Sequence, residues 1–499
     1  MDTLAGCFLV LLTAILLVII GKSLHHRVAK TFPGPWSWPI IGHPVVFAKN
    51  VHVKLGRLAD HYGDLFQIYV GQEPVVVLSS FEAARQAFSK LELSGRPSIP
   101  SLAIFRNEVK GEFAFRSFSD RCIFIRKAVI RSLGRLFREE KDQIENLALA
   151  AHNSLKQQLL EDEARTTDPD VLIHKAVISI VGPLSFGSQL NCKDPVFDQM
   201  LSSGQNFNKV MKFNFMANYC PFLTLFSRKD LELFRENGAK TNKFFYEAIR
   251  NHRRNDTVQD LQDALELEAE QCDQEELRRL GMDTFSLKHS ATNVFGAGVF
   301  TTAEHYLWAL RLLSVFPETQ EKMSAEITNL ENVTHFDGVV TLEHRKHLIY
   351  TKAFLEELFR FSSALPLGIP HSAMKSSKLR GYDIPKGCTV VANLWKINRD
   401  ANHFDEPEEF MPERFIREDR SFNDDLAKKV VAFSVGKRKC IGESVARDEL
   451  FLLITNLVNT FNVRFAGLVQ GGRDFLQPTV GFSLKPIPAL YSFSLRRSS

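Results

Sequence analysis

Cysteine is sparse and unpaired in this chain: seven thiols lie scattered over 499 residues, none at a zinc-knuckle spacing. An odd, dispersed set excludes a disulfide framework and a structural zinc site as the basis of the fold, and suits a reducing compartment for the main body. Charge of one sign is lacking too. Lys plus Arg total 62 against 58 for Asp plus Glu, too even a balance to mark a nucleic-acid binder. No Gly/Ser-rich or Pro-rich linker divides the chain after residue 50, and neither an internal repeat nor a low-complexity tract is present. Length alone would suggest about three domains. Without a linker, one large domain over 46–499 is the simpler reading. What the chain has in quantity is apolar: 44% of residues are hydrophobic and 41 are Phe, enough for a core and the lining of a cavity.

A basic leader before the first apolar run is also missing. Only Asp2 precedes Leu4 to Gly21, an uncharged stretch rich in Leu, Ile and Val, whereas Lys22, His25, His26, Arg27 and Lys30 follow it. The run reaches the short limit for a helix crossing a bilayer, about 17 residues. Positive charge behind it predicts a luminal N-terminus and a cytosolic body. A cleaved signal peptide would carry a basic n-region and a shorter apolar run. Residues 1–30 therefore read as a transmembrane signal anchor, and 31–45, with Pro33, Pro35 and Pro39 around Trp36 and Trp38, as a stiff hinge at the interface.

Beyond the hinge, Asp64–Val70 and Pro74–Leu78 flank Gly71 as β-branched runs and predict a hairpin of a small sheet. Phe81–Phe88 returns to helical spacing. Asp120–Phe137 reads as a basic helix, Asn146–Leu280 as mainly helical with breaks near Asp168, Cys192 and Asn218, and Phe285–Leu313 as one long helix. The class is mainly α with small β-sheets.

The chemistry is concentrated in Phe433-Ser434-Val435-Gly436-Lys437-Arg438-Lys439-Cys440-Ile441-Gly442, where one cysteine lies among three basic residues and opens a helix over Glu443–Leu457. Thiolate is the form that binds metal, and nearby cations and helix N-terminal amides are expected to lower the pKa of Cys440. Gly436 permits a tight turn, and Gly442 lets a backbone or a flat ligand approach. A buried structural cysteine is the plainer alternative for any single thiol.

The spacing Phe-x-x-Gly-x-Arg-x-Cys-x-Gly resembles the haem-binding loop of the cytochrome P450 family, whose haem is held by a cysteine thiolate. Other stretches in family order carry the likeness across residues 30–495. Glu357-Leu358-Phe359-Arg360 and Pro412-Glu413-Arg414-Phe415 are similar to elements in which the glutamate and both arginines form a buried clamp. Gly296-Ala297-Gly298-Val299-Phe300-Thr301 is similar to the helix that handles oxygen.

The resemblance implies a haem-enclosing P450 fold, haem b as cofactor, Cys440 as its metal ligand and Thr301 as the catalytic alcohol. It implies Arg126, His371 and Arg438 as contacts of the haem propionates, and Glu357, Arg360 and Arg414 as a structural clamp. Phe115, Phe207 and Ala297 become candidate substrate contacts, although core packing explains such residues equally well. Two departures stand out. Phe300 occupies the place of a proton-carrying acid, with Glu304 one turn on, and Cys122 stands where Trp is usual, four residues before Arg126.

Phe359–Ser363, Ile369–Ser372 and the cysteine loop look most like the branch that hydroxylates aryl hydrocarbons and oestrogens, with the steroid 17-alpha-hydroxylases next. That implies a monooxygenase placing one atom of O2 into an apolar substrate, in the endoplasmic reticulum membrane. NADPH-cytochrome P450 reductase is the implied electron donor, with cytochrome b5 a further one. Lys428, Lys429, Lys437, Lys439, Arg131 and Arg135 are candidates for a cationic landing patch. A reductase-independent isomerase or lyase and a weakly active haem or lipid binder stay open because of Phe300.

Overall fold

The computed structural model describes Thr13 and residues 32–38, 41–108, 111–140, 142–161, 166–187, 195–212, 218–219, 224–466 and 473–496. The anchor expected over 1–30 lies outside these residues apart from Thr13. Among the described residues no helix is long and apolar enough to cross a membrane. Of the hinge, residues 32–38 lie beside the first sheet, where the Gln67 amide donates to the Pro33 carbonyl at 2.9 Å, and its end enters a 3-10 turn over Pro44–Phe47. Trp36 and Trp38 remain exposed and meet edge to face at 5.2 Å.

Helix α1 (Val51–Tyr62) leads into the hairpin β1 (Leu65–Val70) and β2 (Glu73–Leu78), with Leu65 opposite Leu78. Gly71, at φ 62, closes the turn in a conformation that favours glycine. β2 is an inner strand, so its valines are buried on both faces. Val76 faces one apolar cluster, and Val75 and Val77 face another. Helix α2 (Phe81–Phe88) starts where the Ser80 hydroxyl accepts from the Ala83 amide at 3.2 Å.

The helical body contains α3 (Asp120–Glu139), α4 (Asp170–Phe186), α5 (Pro195–Met211), α6 (Arg228–Asn251), α7 (Leu261–Gln271), α8 (Ala291–Val315) and α9 (Ile349–Ser362). The breaks expected near residues 168 and 218 fall between helices, the one near Cys192 lies outside the described residues, and further breaks separate α6 from α7 and α7 from a short helix at Gln274–Arg279. Strands β3 (His371–Ser372) and β4 (Thr389–Ala392) complete the first sheet in the order β1-β2-β4-β3, with β4 parallel to β2. Helix α10 (Glu443–Thr460) then runs straight into β5 (Phe461–Phe465), which pairs antiparallel with β6 (Tyr491–Leu495).

α8 is buried nearly all round and packs against α4, α9 and α10. A helix apolar on every side belongs inside a large core. It does not extend back to Phe285 as the sequence suggests. Thr284–Lys288 forms a separate short helix, and the Thr292 and Asn293 amides bond three residues back, to His289 and Ser290. A segment remote in sequence packs into this break. Gly111 lies so close that a Cβ there would sit 2.4 Å from the Ser286 carbonyl oxygen and the Ser290 nitrogen.

Candidate haem-thiolate site

The cysteine loop is held by backbone geometry. Gly436 adopts φ 78, and a Cβ there would sit 2.2 Å from the Phe88 carbonyl oxygen, so α2 presses directly on the turn. The Cys440 amide donates to the Phe433 carbonyl at 3.0 Å. A Cβ on Gly442 would meet nothing within 4 Å, so this glycine borders open space rather than a neighbouring backbone.

Cys440 is accessible, although protein surrounds it closely enough for burial to raise its thiol pKa. The expectation of a lowered value is corrected: desolvation outweighs the Gly442 amide, Arg126 and Lys439, while Glu443 pushes the same way as burial. Lys439 is engaged elsewhere, 2.6 Å from the Glu443 carboxylate. A metal ion reverses the balance, because a coordinating thiol loses its proton outright.

Above α8 the same kind of opening appears. Ala297 is exposed in the middle of an otherwise buried helix, and a Cβ on Gly296 would meet nothing within 4 Å. One turn on, the Thr301 hydroxyl donates to the Ala297 carbonyl at 2.7 Å, so Ala297 and Thr301 share a face. Gly298 has a packing reason instead: Val181 of α4 would touch its Cβ at 3.2 Å. Phe300 packs between α4 and α5, its ring 6.0 Å from His174 and 3.2 Å from a Cβ on Gly204. Glu304 is buried, accepts from the Ser483 hydroxyl at 2.7 Å and lies 3.6 Å from Lys485 Nζ. Burial raises its carboxyl pKa despite that lysine.

Beside the cysteine loop three guanidiniums gather, Arg96 and Arg438 buried and Arg126 partly so. Arg126 donates to the Lys439 carbonyl at 2.9 Å. Arg438 donates to the Ala114 and Arg116 carbonyls at 2.9 Å each. Arg96 donates to the Ala114 and Pro370 carbonyls at 2.9 and 3.1 Å. Burial pushes the Arg96 and Arg126 pKa values down, and Arg438 pushes both further down. The carboxylate facing Arg96 is Glu112, whose own pKa burial raises. Arg438 Nε is buried with no partner.

So much unmatched positive charge calls for an anion. A flat group with carboxylates on one edge and a metal reached by Cys440 fits this set of donors. His371 fits less simply than expected. Its Nδ1 hydrogen-bonds the Leu93 carbonyl at 2.8 Å, its ring stacks on Phe88 at 3.8 Å, and burial holds its pKa well below the ordinary value. It is neutral here, so it contributes no charge until a carboxylate arrives.

Arg96 is the residue that sequence reasoning missed. Its one outward sign is a basic residue locked between Gly95 and Pro97. Cys122, where Trp is usual, accepts from Arg438 Nη1 at 3.1 Å and offers no indole donor to a carboxylate.

Glu357 and Arg360 meet through paired 2.7 Å contacts, both side chains fully buried, and Arg414 Nε lies 3.2 Å from Glu357. Arg360 also donates to the Asn398 carbonyl at 2.8 Å, and the Asn398 side chain accepts from the Val431 amide at 2.9 Å. A bonded path thus runs from the ion triad to the stretch entering the cysteine loop. Phe115 and Phe207 share one cluster with Phe234 and Phe482, and Ala297 is not part of it.

The expected landing patch is largely neutralised. Lys428 pairs with Asp425 at 3.0 Å, Lys429 with Glu82 at 3.0 Å, and Arg131 with Glu268.

The comparisons agree with this architecture. A family model described as Cytochrome P450 matches residues 32–493. Cytochrome P450 1A1 of Macaca mulatta is 30% identical over 480 residues, covering 91% of this chain and 90% of that protein. Cytochrome P450 1B1 of Homo sapiens is 30% identical over 509 residues, covering 98% and 92%. A solved zebra fish cytochrome P450 with progesterone superposes at a TM-score of 0.75 with 26% identity, covering 89% of this chain and 99% of that one.

Proposed function

The chain belongs to the cytochrome P450 family of haem-thiolate monooxygenases, and from that premise we propose that it oxidises an apolar small molecule, planar aromatic or steroid-like, with Cys440 as the haem ligand. The observation that carries the reading is the accessible Cys440 sulfur beside the under-neutralised cluster of Arg96, Arg126 and Arg438. When bound, haem supplies the activation of O2, for which a thiolate ligand is suited.

The chain's own residues do the rest. Arg96, Arg126 and Arg438 would bind the two haem carboxylates and give up part of their present bonds to backbone carbonyls. Ala297 keeps the face of α8 low, and Thr301 presents a hydroxyl there that can pass a proton. Phe115, Phe207 and Phe482 belong to one packed apolar cluster and would offer an apolar substrate surface from which water is excluded. Electrons would come from NADPH through a flavoprotein reductase, with cytochrome b5 as a second donor, at an endoplasmic reticulum membrane with the N-terminus luminal. Because most of the candidate cations are already paired, docking should depend on salt less steeply than their number suggests.

The test is spectroscopic. Purified, reduced protein under carbon monoxide should show the red-shifted Soret band of a thiolate-ligated haem, and Cys440→Ser should abolish it. A band unshifted in the unmodified chain would overturn the reading. Mass gain across a panel of planar aromatics and steroids, with reductase and NADPH, would then identify substrates. One observation favours a second reading. With Phe300 packed where an acid is usual, rearrangement of an organic peroxide without NADPH would point to an isomerase or lyase.

A further inference from the structure

We propose that one proton on Glu304 fastens α5 to the turn at 481–483, and that α5 is released when the carboxyl ionises; the fastening concerns this chain's own bonds and stands apart from which substrate is oxidised. Asn208, the residue after Phe207 on α5, is the point of attachment. Its carbonyl accepts from the Phe482 amide at 3.1 Å, and its side-chain Oδ1 accepts from the Ser483 amide at 3.2 Å. The turn comes close because it starts at a glycine: a Cβ on Gly481 would sit 3.1 Å from that same Oδ1. The Ser483 hydroxyl completes the join, 3.1 Å from Asn208 Oδ1 and 2.7 Å from Glu304 Oε1 of α8. Ser483 and Glu304 are both buried, so these contacts are not freely exchanged for bulk water.

A hydroxyl carries one proton and cannot donate along both of its contacts. A backbone amide can only donate, so the Ser483 amide fixes Asn208 Oδ1 as an acceptor. The 3.1 Å contact to that oxygen is then a hydrogen bond only if the Ser483 hydroxyl donates along it. Taken alone, the contact with Glu304 would be one in which the hydroxyl donates; with Asn208 in place, its proton has to come from the carboxyl. Once Glu304 ionises, the hydroxyl turns to the charged and stronger acceptor, and Asn208 Oδ1 faces a lone pair. The surroundings set the balance. Burial raises the Glu304 pKa, opposed by Lys485 on the strand Leu484–Pro486, with Nζ at 3.6 Å, and by His174 of α4. His174 is itself held by Asp170, with Nδ1 2.8 Å from its carbonyl and 3.4 Å from its carboxylate. Lys209, next to Asn208 on α5, pairs with Asp230 at 2.7 Å. Burial is the largest of these effects, so folding favours the protonated form. Its contribution is complete below about pH 4.5 and is lost as pH rises through the raised value. Release bears on the site because Phe207 and Phe482, edge to face at 5.6 Å, flank the join and belong to the apolar cluster of Phe115 and Phe234.

The experiment follows haem-loaded protein from about pH 5 to about pH 9 by two readouts. One is hydrogen exchange of peptides from α5, corrected for the intrinsic rate. The other is the infrared carbonyl stretch of a protonated carboxyl, assigned by its loss in Glu304→Gln. The stretch should fade and α5 should lose protection about fivefold, the worth of one hydrogen bond, at a single shared midpoint. Glu304→Gln cannot ionise and its amide can donate to Ser483 at every pH, so α5 should stay protected throughout. Ser483→Ala removes the join without touching the carboxyl. In it α5 should exchange faster at every pH and show no step, and this variant serves if the glutamine variant fails to load haem. Naphthalene binding, read from the Soret band in stopped flow, should quicken across the same midpoint. Ionisation without loosening, loosening that persists in Glu304→Gln, a carboxyl that stays protonated throughout, or a binding rate indifferent to the midpoint would each overturn the proposal. If naphthalene leaves the haem unperturbed while the exchange and infrared steps coincide, the substrate reading fails and the fastening stands.

Discussion

Arg438 reaches out of the cysteine loop to place Nη1 3.1 Å from the sulfur of Cys122, a buried thiol on α3. The contact joins two positions 316 residues apart and occupies the place where a tryptophan was expected. Burial raises the Cys122 thiol pKa even against the field of Arg438, so the sulfur is neutral and serves as a weak acceptor. Cys122→Ala should leave one guanidinium N–H without a partner and destabilise the protein by about 1–3 kcal/mol. Urea unfolding of the purified variant would show it as a lower midpoint at unchanged slope. An unchanged midpoint would mean that Arg438 is held by its carbonyl partners alone.

The ion triad invites a harsher test. Arg360 is fully buried and satisfied by Glu357 together with the Asn398, Pro407 and Glu409 carbonyls. Arg360→Leu strands the Glu357 carboxylate in the core with only Arg414 and the Met411 amide, costing about 3–5 kcal/mol. Soluble, haem-loaded protein should fall sharply in yield. A normal yield would argue that the triad does not govern the cysteine loop.

How much of this could be read from the sequence depends on how local the cause is. Glu357 and Arg360 are three apart on one helix, so their meeting follows from helical spacing. The hairpin around Gly71 and helix Phe81–Phe88 are likewise set by short-range pattern. What escaped was remote. Gly111 packs against the break before α8, Glu82 captures Lys429 from 347 residues away, and Arg96 acquires meaning only when Pro370 and the 113–116 segment close over it. The direction of the Cys440 shift is not legible in the chain for the same reason, because desolvation belongs to the folded surroundings and not to the three cations beside it in the chain.

Phe300 supplies a prediction about efficiency. Its ring fills space beside Gly204 and His174 and carries no proton. Phe300→Asp, assayed with reductase and NADPH, should raise the fraction of reducing equivalents recovered in product. Loss of the ring's packing should also destabilise the fold by about 3 kcal/mol, so the ratio of product to NADPH consumed is the quantity to measure. An unchanged or lower ratio would show that the missing acid is not what limits turnover and would shift attention to Glu304.

Glu449 offers a test by pH that needs no substrate. It sits buried where α10 meets α8, with Oε2 3.5 Å from the Thr302 hydroxyl and Oε1 without a partner. Desolvation lifts its pKa from about 4.5 to about 8. A carboxyl raised on folding favours the native state in its protonated form. Its contribution is complete below about pH 4.5 and is lost as pH rises towards 8. At about 1.4 kcal/mol per pKa unit, the loss by pH 7 is on the order of 3 kcal/mol. Glu449→Gln keeps the shape and an acceptor for Thr302 but cannot ionise. Relative to the unmodified protein, the variant should therefore gain stability steadily between pH 5 and pH 8 in thermal unfolding. Parallel curves for the two proteins across that range would mean that Glu449 stays ionised in the fold, and that water or a rearranged partner reaches Oε1.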